Sequence, residues 1–596
     1  MNTAIPRMGA WREGRKICFR TWAPEHRSLE VILNEKTFAM APQPEGYFYT
    51  ECDLEHSPPL YKFRIDGKGP FPDPWSRAQP LGIHGPSSLP SDSFVWTDSQ
   101  WKGLQHNRGV IYEVHVGTAT AEGTFDALAE RIPDLAALGI SAIELMPLSS
   151  FSGTRNWGYD GVAHFSPAEV YGGPEGLRRF VDAAHRASLG VIIDVVYNHF
   201  GPEGNYLPQF SQAYFTSQHH TPWGDAVNYS LPIVREFALR NAEMWVVDYH
   251  ADGLRLDATH TLIDESETHL LSELVQRSRA TASGKHLVIV AEDERNERQL
   301  ITPREQGGAG LDAVWADDLH HQLRRAFAGD SEGYYKDYTG SVSDIVATLI
   351  SGWFYQGQHS QNMNQPRGTR ADDLSPSSFI HCIQNHDQIG NRPLGTRLSK
   401  DVDAEAFRAM SALLLLSPYT PMLFAGQEWN SQQPFLYFTD HGEGLGHLVT
   451  EGRRKEFSGF SQFAGLEIPD PQAPETFKTS KLNWSERASP AHAGVLLLYK
   501  ELIALRTFHP ALRDIDRRNF DARTLSENCF LLERTSPLTT LRLIVNIRGK
   551  FQYPLEGRWA IRLHTEEERF GGKSNQPPHR DRLQLEGPSA VLLESV

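Results

Sequence analysis

Two hydrophobic rhythms divide the chain. Near the N-terminus apolar and polar residues alternate over short runs, as in Lys16-Ile17-Cys18-Phe19-Arg20-Thr21-Trp22, Leu29-Glu30-Val31-Ile32-Leu33 and Leu60-Tyr61-Lys62-Phe63-Arg64-Ile65. A period of two sets one face of a strand against a core and the other toward water. With Pro and Gly between the runs, this predicts a small antiparallel β-sandwich over residues 1–100. The Pro-rich stretch 69–90 reads as a linker laid along the next domain.

From about residue 108 the rhythm changes. Short, nearly continuous apolar runs at 110–116, 142–148, 190–196, 253–258, 287–291, 313–316, 379–383 and 421–425 predict strands buried on both faces. Between most of them apolar residues recur at i, i+3, i+4, as at 124–138, 176–187 and 233–249, and a last helix is predicted near 490–505. Eight buried strands alternating with amphipathic helices predict an α/β fold, a (β/α)8 TIM barrel over residues 101–515. Residues 200–230, rich in aromatics and His, and 430–490, with little helical period, stand out as long loops expected to build a cleft. After 515 the alternation returns in Cys529-Phe530-Leu531-Leu532, Leu541-Arg542-Leu543-Ile544-Val545 and Ala590-Val591-Leu592-Leu593, predicting a C-terminal all-β domain over 516–596.

Composition narrows the function. A chain of 596 residues exceeds one ordinary core, and 40% hydrophobic with 22% charged residues is typical of globular proteins. The net charge of −16 and the lack of a Lys/Arg block argue against a nucleic-acid partner and leave an uncharged, hydroxyl-rich one compatible. Cys18, Cys52, Cys382 and Cys529 show no CxxC spacing, which argues against a zinc site or a disulfide framework. Residues 1–7 lack the apolar core of a signal peptide, and the most apolar stretch, 413–424, is broken by Pro418 and Pro421. The expectation is a cytoplasmic protein that meets no membrane.

The chemistry lies at the strand ends. Asp257 closes Gly253-Leu254-Arg255-Leu256-Asp257, Glu292 closes Val288-Ile289-Val290-Ala291-Glu292, and Asp387 ends Asn385-His386-Asp387. In a barrel all three would reach the carboxyl-terminal rim. Glycosidic cleavage needs an acid to protonate the leaving oxygen and a carboxylate to attack or stabilise the anomeric carbon. Arg255, two residues before Asp257, would point the same way on a strand and keep that acid ionised. Glu292 would need a raised pKa to remain a proton donor. Asp194, in Asp194-Val195-Val196-Tyr197-Asn198-His199, is expected to hold structure rather than catalyse. The adjacent His320 and His321 offer too few converging ligands for a metal.

These four segments resemble, in order, the four short motifs of the α-amylase superfamily of glycoside hydrolases. The resemblance implies Asp257 as nucleophile, Glu292 as general acid/base and Asp387 as the grip on the distorted sugar. It also implies His199, Arg255 and His386 as sugar contacts, with Tyr159 of Trp157-Gly158-Tyr159-Asp160 stacking beneath the ring. Members of the superfamily often carry calcium near the Asn-His motif. Here Ala258-Thr259-His260 replaces the usual Ala-Lys-His, so no metal is expected, and no cofactor.

Phe19-Arg20-Thr21-Trp22-Ala23-Pro24 and Asp73-Pro74-Trp75-Ser76-Arg77 resemble the N-terminal module of branching, debranching and trehalose-releasing members. Asp317-Asp318-Leu319-His320-His321, Glu332-Gly333-Tyr334-Tyr335, Glu451-Gly452-Arg453-Arg454-Lys455-Glu456-Phe457 and Lys481-Leu482-Asn483-Trp484 are most similar to maltooligosyltrehalose trehalohydrolases. This implies hydrolysis of the α-1,4 bond next to a terminal trehalose, with retention, in sequence with a maltooligosyltrehalose-forming synthase. The Asp317–His321 segment, with Asp318 as its expected substrate contact, and the 200–230 loop are the candidates for recognising trehalose. The alternatives are a 1,4-α-glucan branching enzyme, which shares sandwich and triad, and a non-catalytic glucan-binding relic, which the intact triad disfavours.

Overall fold

The computed structural model describes residues 5–53, 58–104, 109–221, 223–458, 466–573 and 582–596. Residues 1–4, part of the segment that argues against a signal peptide, lie outside the described residues, as do Pro222 and 459–465 within the two long loops.

All eight apolar runs form strands of one closed parallel barrel: Ile111–Val114, Ala142–Leu145, Gly190–Val195, Gly253–Leu256, Val288–Glu292, Ala313–Trp315, Phe379–His381 and Thr420–Phe424. The first strand pairs with both the second and the eighth, closing the ring. Alternate side chains divide the core. Ile111, Ala142, Ile192, Val288, Val290, Ala313, Ile380 and Met422 fill the barrel interior. Leu254, Ile289, Ala291 and Leu423 face the surrounding helices as part of the main core. The interior is therefore packed, and polar chemistry is confined to the rim.

Most helical expectations hold, as Gly173–Arg186, Pro232–Asp248 and Pro490–Phe508. The single helix expected at 124–138 is two, Phe125–Ala129 and Ile132–Leu138. Pro133 has no N–H for a continuing helix and instead takes the first turn of the second one, where none is needed. The 430–490 segment is also less irregular than expected, holding the helices Glu443–Ser458 and Pro474–Thr479. Gly444, Gly446 and Gly452, with many charged neighbours, hide the apolar period there. The 200–230 loop carries Leu207–Phe210 and a hairpin of Phe215–Thr221 with Gly224–Val227.

The N-terminal strands form a seven-stranded antiparallel sheet. Lys36–Pro42 joins its halves, pairing with Leu29–Leu33 through residues 36–40 and with Tyr47–Asp53 through 41–42. Lys68–Phe71 is its last strand, so the stretch expected to be linker from residue 69 begins within the sheet. Trp75 fastens the segment that follows to the barrel, stacked on Phe165 at 5.1 Å and edge-on to Phe237 at 4.8 Å. Near the C-terminus Phe520–Ser526, Cys529–Thr535, Thr540–Asn546, Trp559–His564 and Ser589–Ser595 form a five-stranded sheet. It is tied to a barrel helix by the buried Arg408–Glu566 pair and by Arg534 donating to the Leu416 carbonyl. Among the described residues no helix is long and apolar enough to cross a membrane.

Candidate active site

Parallel registry brings the ends of the fourth and fifth strands level, with Leu256 opposite Ala291. Asp257 and Glu292 therefore emerge side by side. Arg255, the last inward residue before the rim, lies between them with its side chain fully buried. Its Nη1 donates to Asp257 Oδ1 at 2.8 Å and to both oxygens of Asp194 at 2.8 and 2.9 Å, while Nη2 lies 3.6 Å from Glu292 Oε2. Trp315, at the end of the sixth strand, supports the guanidinium from below, its ring 4.2 Å from Cζ. Asp257 and Glu292 thus flank one guanidinium, the first bonded to it and the second 3.6 Å from it.

The environments of the two acids differ. Asn198 Nδ2 donates to Asp257 Oδ2 at 3.1 Å, so both carboxylate oxygens face donors. Glu292 is pushed up to about 8: burial is the main cause, Asp257 and Asp387 add to it, and Arg255 and the Ala258 N–H oppose it. The Ala258 N–H reaches Glu292 Oε2 at 2.5 Å because Ala258 adopts a left-handed φ of 38°. A non-glycine residue held in that region costs about 1–3 kcal/mol. Here the turn aims a backbone donor at the acid. Glu292 is thereby held protonated near neutrality, beside an Asp257 whose two oxygens both face donors, which is the division of roles that glycosidic cleavage requires.

Asp387 follows the seventh strand in the first turn of the short helix His386–Gly390, whose cap Asn385 accepts from the Gln388 N–H at 2.8 Å. It is the most open of the three, 41% exposed, and accepts from Asn391 Nδ2 at 3.1 Å. Tyr159 lies parallel to the His386 ring, centroids 5.2 Å apart, with its hydroxyl between Asp194 and His386 at 2.7 and 2.9 Å. Asp194 thus braces Arg255 and Tyr159. His199 stacks on the half-exposed Trp223 at 3.9 Å, so the hairpin of the 200–230 loop reaches the cleft.

One expected contact is not in the cleft. Asp318 is completely buried, accepting from Asn296 Nδ2 at 2.7 Å, Tyr338 OH at 2.6 Å, Arg367 Nη2 at 3.2 Å and the Phe354 and Tyr355 N–H groups. It joins the loops after the fifth and sixth strands and cannot touch a sugar. The residue before it, Asp317, lines a cavity of about 240 Å³ shared with Glu292, Asp387, Gln388, Tyr334 and Asn391. A one-residue step at the start of a helix turns a side chain by about 100°, so sequence alone could not choose between adjacent aspartates. Trp315, Asn198 and Glu113, which pairs with His386, were also not singled out as site residues. The usable signal for Glu113 is a lone charge inside the apolar first strand.

His320 is buried in the core, and His321 lines the cavity that Asp317 shares with Glu292 and Asp387. Their Nδ1 atoms face each other at 2.9 Å in the core. Among the described residues no group of three or more His, Cys, Asp or Glu side chains is placed to hold a metal ion. Asn198, expected near a calcium site in related proteins, instead bonds Asp257, Thr261 and His199.

A parallel barrel with this acid pair, arginine and Asn-His-Asp turn defines a glycoside hydrolase of the α-amylase class. Residues 91–219 match the family model "Alpha amylase, catalytic domain". The chain is 46% identical over 507 residues to the malto-oligosyltrehalose trehalohydrolase of Deinococcus radiodurans, covering 84% of this chain and 82% of that one. It is 41% identical over 589 residues to that of Arthrobacter ramosus, covering 96% and 99%. It belongs to the malto-oligosyltrehalose trehalohydrolase family. Similarity to the 1,4-alpha-glucan branching enzyme GlgB of Geobacillus stearothermophilus is 28% over 343 residues, 51% of this chain and 53% of that one. A crystal structure of a protein described as an alpha amylase from Salmonella typhimurium superposes with a TM-score of 0.91 at 36% identity, over 99% of each chain.

Proposed function

We propose that this protein hydrolyses the α-1,4-glucosidic bond next to the terminal trehalose of maltooligosyltrehalose, releasing trehalose and a maltooligosaccharide. Asp257 attacks the anomeric carbon. Glu292 protonates the departing trehalose oxygen and then takes a proton from the incoming water, so configuration is retained. Asp387 and His386 hold the distorted ring, Tyr159 supports it, and Arg255 and His199 surround it. The observation that carries the reading is the end-to-end 41% identity to a trehalohydrolase, 96% of this chain against 99% of the relative. The branching-enzyme likeness covers about half of each chain.

Trehalose is bent at its α,α-1,1 linkage. A polar pocket shaped to it rejects linear maltose by leaving its own groups unpaired. Asp317, accepting from Gln388 Nε2 at 3.1 Å, and Tyr334, donating to Gln388 Oε1 at 3.1 Å, border Glu292 and are the residues we assign to that discrimination. Such an enzyme works in the cytoplasm behind a synthase that forms the trehalose end. The test is incubation with maltotriosyltrehalose and, separately, maltopentaose. Trehalose plus maltotriose from the first, with slow turnover of the second, supports the assignment. Brisk cleavage of maltopentaose to mixed sugars makes it a general amylase, and new α-1,6 branches in amylose make it a branching enzyme.

A further inference from the structure

We propose that Glu113, buried in the first barrel strand, is a positioning residue that holds His386 as a two-donor imidazolium aimed at Tyr159 and Asp387. The hydrogen bonds fix the roles. Glu113 Oε2 accepts the backbone N–H of His386 at 3.0 Å, and Oε1 accepts the ring Nδ1–H. Both carboxylate oxygens are thus committed to one residue, setting its backbone and its ring together.

On the opposite side of the ring, Nε2 lies 2.9 Å from Tyr159 OH and 3.4 Å from Asp387 Oδ1. The Tyr159 hydroxyl donates its only proton to Asp194, which is salt-bridged to Arg255. Its remaining lone pairs accept, so Nε2 must donate. Each ring nitrogen thus faces an oxygen committed as an acceptor, and only the doubly protonated ring satisfies both.

The surroundings agree. Burial alone would lower His386, but Asp387 and Glu113 carry it up to about 9 against the opposing charge of Arg255. Its other ring neighbours, Trp157, Trp315 and Tyr159, bring no competing cation. Glu144 of the second strand lies in register with Glu113 and is equally buried. Burial and the Glu113 charge hold its carboxyl well above the ordinary range. Of these two adjacent buried acids, Glu144 is held toward its protonated form, while both oxygens of Glu113 accept from His386. The first strand therefore supplies the charge that makes the seventh-strand histidine a permanent donor at the cleft.

The inference rests on the reading of Asp257, Glu292 and Asp387 as the sugar-cleaving set, but not on trehalose selectivity. The test compares Glu113→Gln with Glu144→Gln on α-maltosyl fluoride, whose leaving group needs no protonation by Glu292. A companion series uses maltotriosyltrehalose. Glu113→Gln should lower kcat about 10- to 100-fold at pH 7, the loss of one charge-assisted bond, with KM within about threefold. Its kcat/KM on the fluoride should fall above neutral pH, where the wild type stays level to beyond pH 8.

Glu144→Gln, which exchanges a protonated acid for an amide of the same shape, should remain within about twofold with an unmoved profile. A folded Glu113→Gln enzyme with the wild-type pH profile would overturn the proposal, as would equal losses in the two variants. If Glu113→Gln does not fold, Glu113→Asp carries the test: its side chain, one methylene shorter, leaves a wider gap to His386 and should move the alkaline limb partway down, and an unmoved limb overturns the proposal. Hydrolysis of the fluoride without trehalose release from maltotriosyltrehalose would defeat the proposed function while leaving this test intact.

Discussion

Raising the pH from 7 to 9 should cut kcat for trehalose release about tenfold, because the reaction loses the proton of Glu292. The magnitude follows from the site. Burial, with Asp257 and Asp387 close by, raises this carboxyl to about 8 despite Arg255 and the Ala258 N–H. The acid is thus about nine-tenths protonated at pH 7 and about one-tenth at pH 9. The sign is that of a raised acid: the active, protonated form is present below pH 8 and disappears above it. His386, at about 9, titrates later and does not set the first limb. The assay is the pH profile of kcat with maltotriosyltrehalose, trehalose being resolved by chromatography. Glu292→Gln should remove the limb near pH 8 and lower kcat by about 10²–10⁴. Glycosylation by α-maltosyl fluoride should lose far less, since fluoride leaves unaided. A wild-type rate level through pH 9.5 would refute the reasoning, and so would a limb near pH 8 that survives in Glu292→Gln.

Three further outcomes follow from the geometry. Asp318→Ala strips the buried Arg367 of its carboxylate and leaves two backbone N–H groups unpaired, so stability should drop by about 3–5 kcal/mol. Calorimetry should show a clearly lower Tm, with any loss of activity equal on maltotriosyltrehalose and maltopentaose; a selective loss on the first would return Asp318 to the binding surface. Asp317→Ala, by contrast, should lower trehalose release about 5- to 150-fold more than maltopentaose cleavage, one lost substrate hydrogen bond being worth about 1–3 kcal/mol, and equal losses would remove it from the selectivity pocket. Trp315→Leu removes the cation–π support of Arg255, worth about 0.5–2 kcal/mol; kcat/KM should fall about 2- to 30-fold, with Trp315→Phe recovering part of it, and an unaltered kcat/KM would show that Arg255 needs no such floor.

The barrel was legible because its strands are buried on both faces and must be apolar throughout, a pattern that survives without any knowledge of the contacts. The helix Glu443–Ser458 was not, because a polar helix with three glycines carries no apolar stripe. Asp257, Glu292 and Asp387 were legible as abrupt charges ending apolar runs, in motifs shared with a large superfamily. Asp318 shows the limit of that kind of evidence: it carries the right chemistry beside the right strand, yet its side chain turns inward to five donors.

By itself, the sequence determined what is local or periodic: the eight strands, the order of the acids along the chain and the bond chemistry such acids can perform. Tertiary structure decided what depends on separation and surroundings. Only barrel closure brings Glu113 to His386, 273 positions away in the chain, and only the depth of the cleft, with Asp257 and Asp387 close by, lets Glu292 keep its proton beside Arg255. Residue type follows from side-chain chemistry, whereas protonation state and direction follow from the field and packing of neighbours that the chain supplies from far along its length.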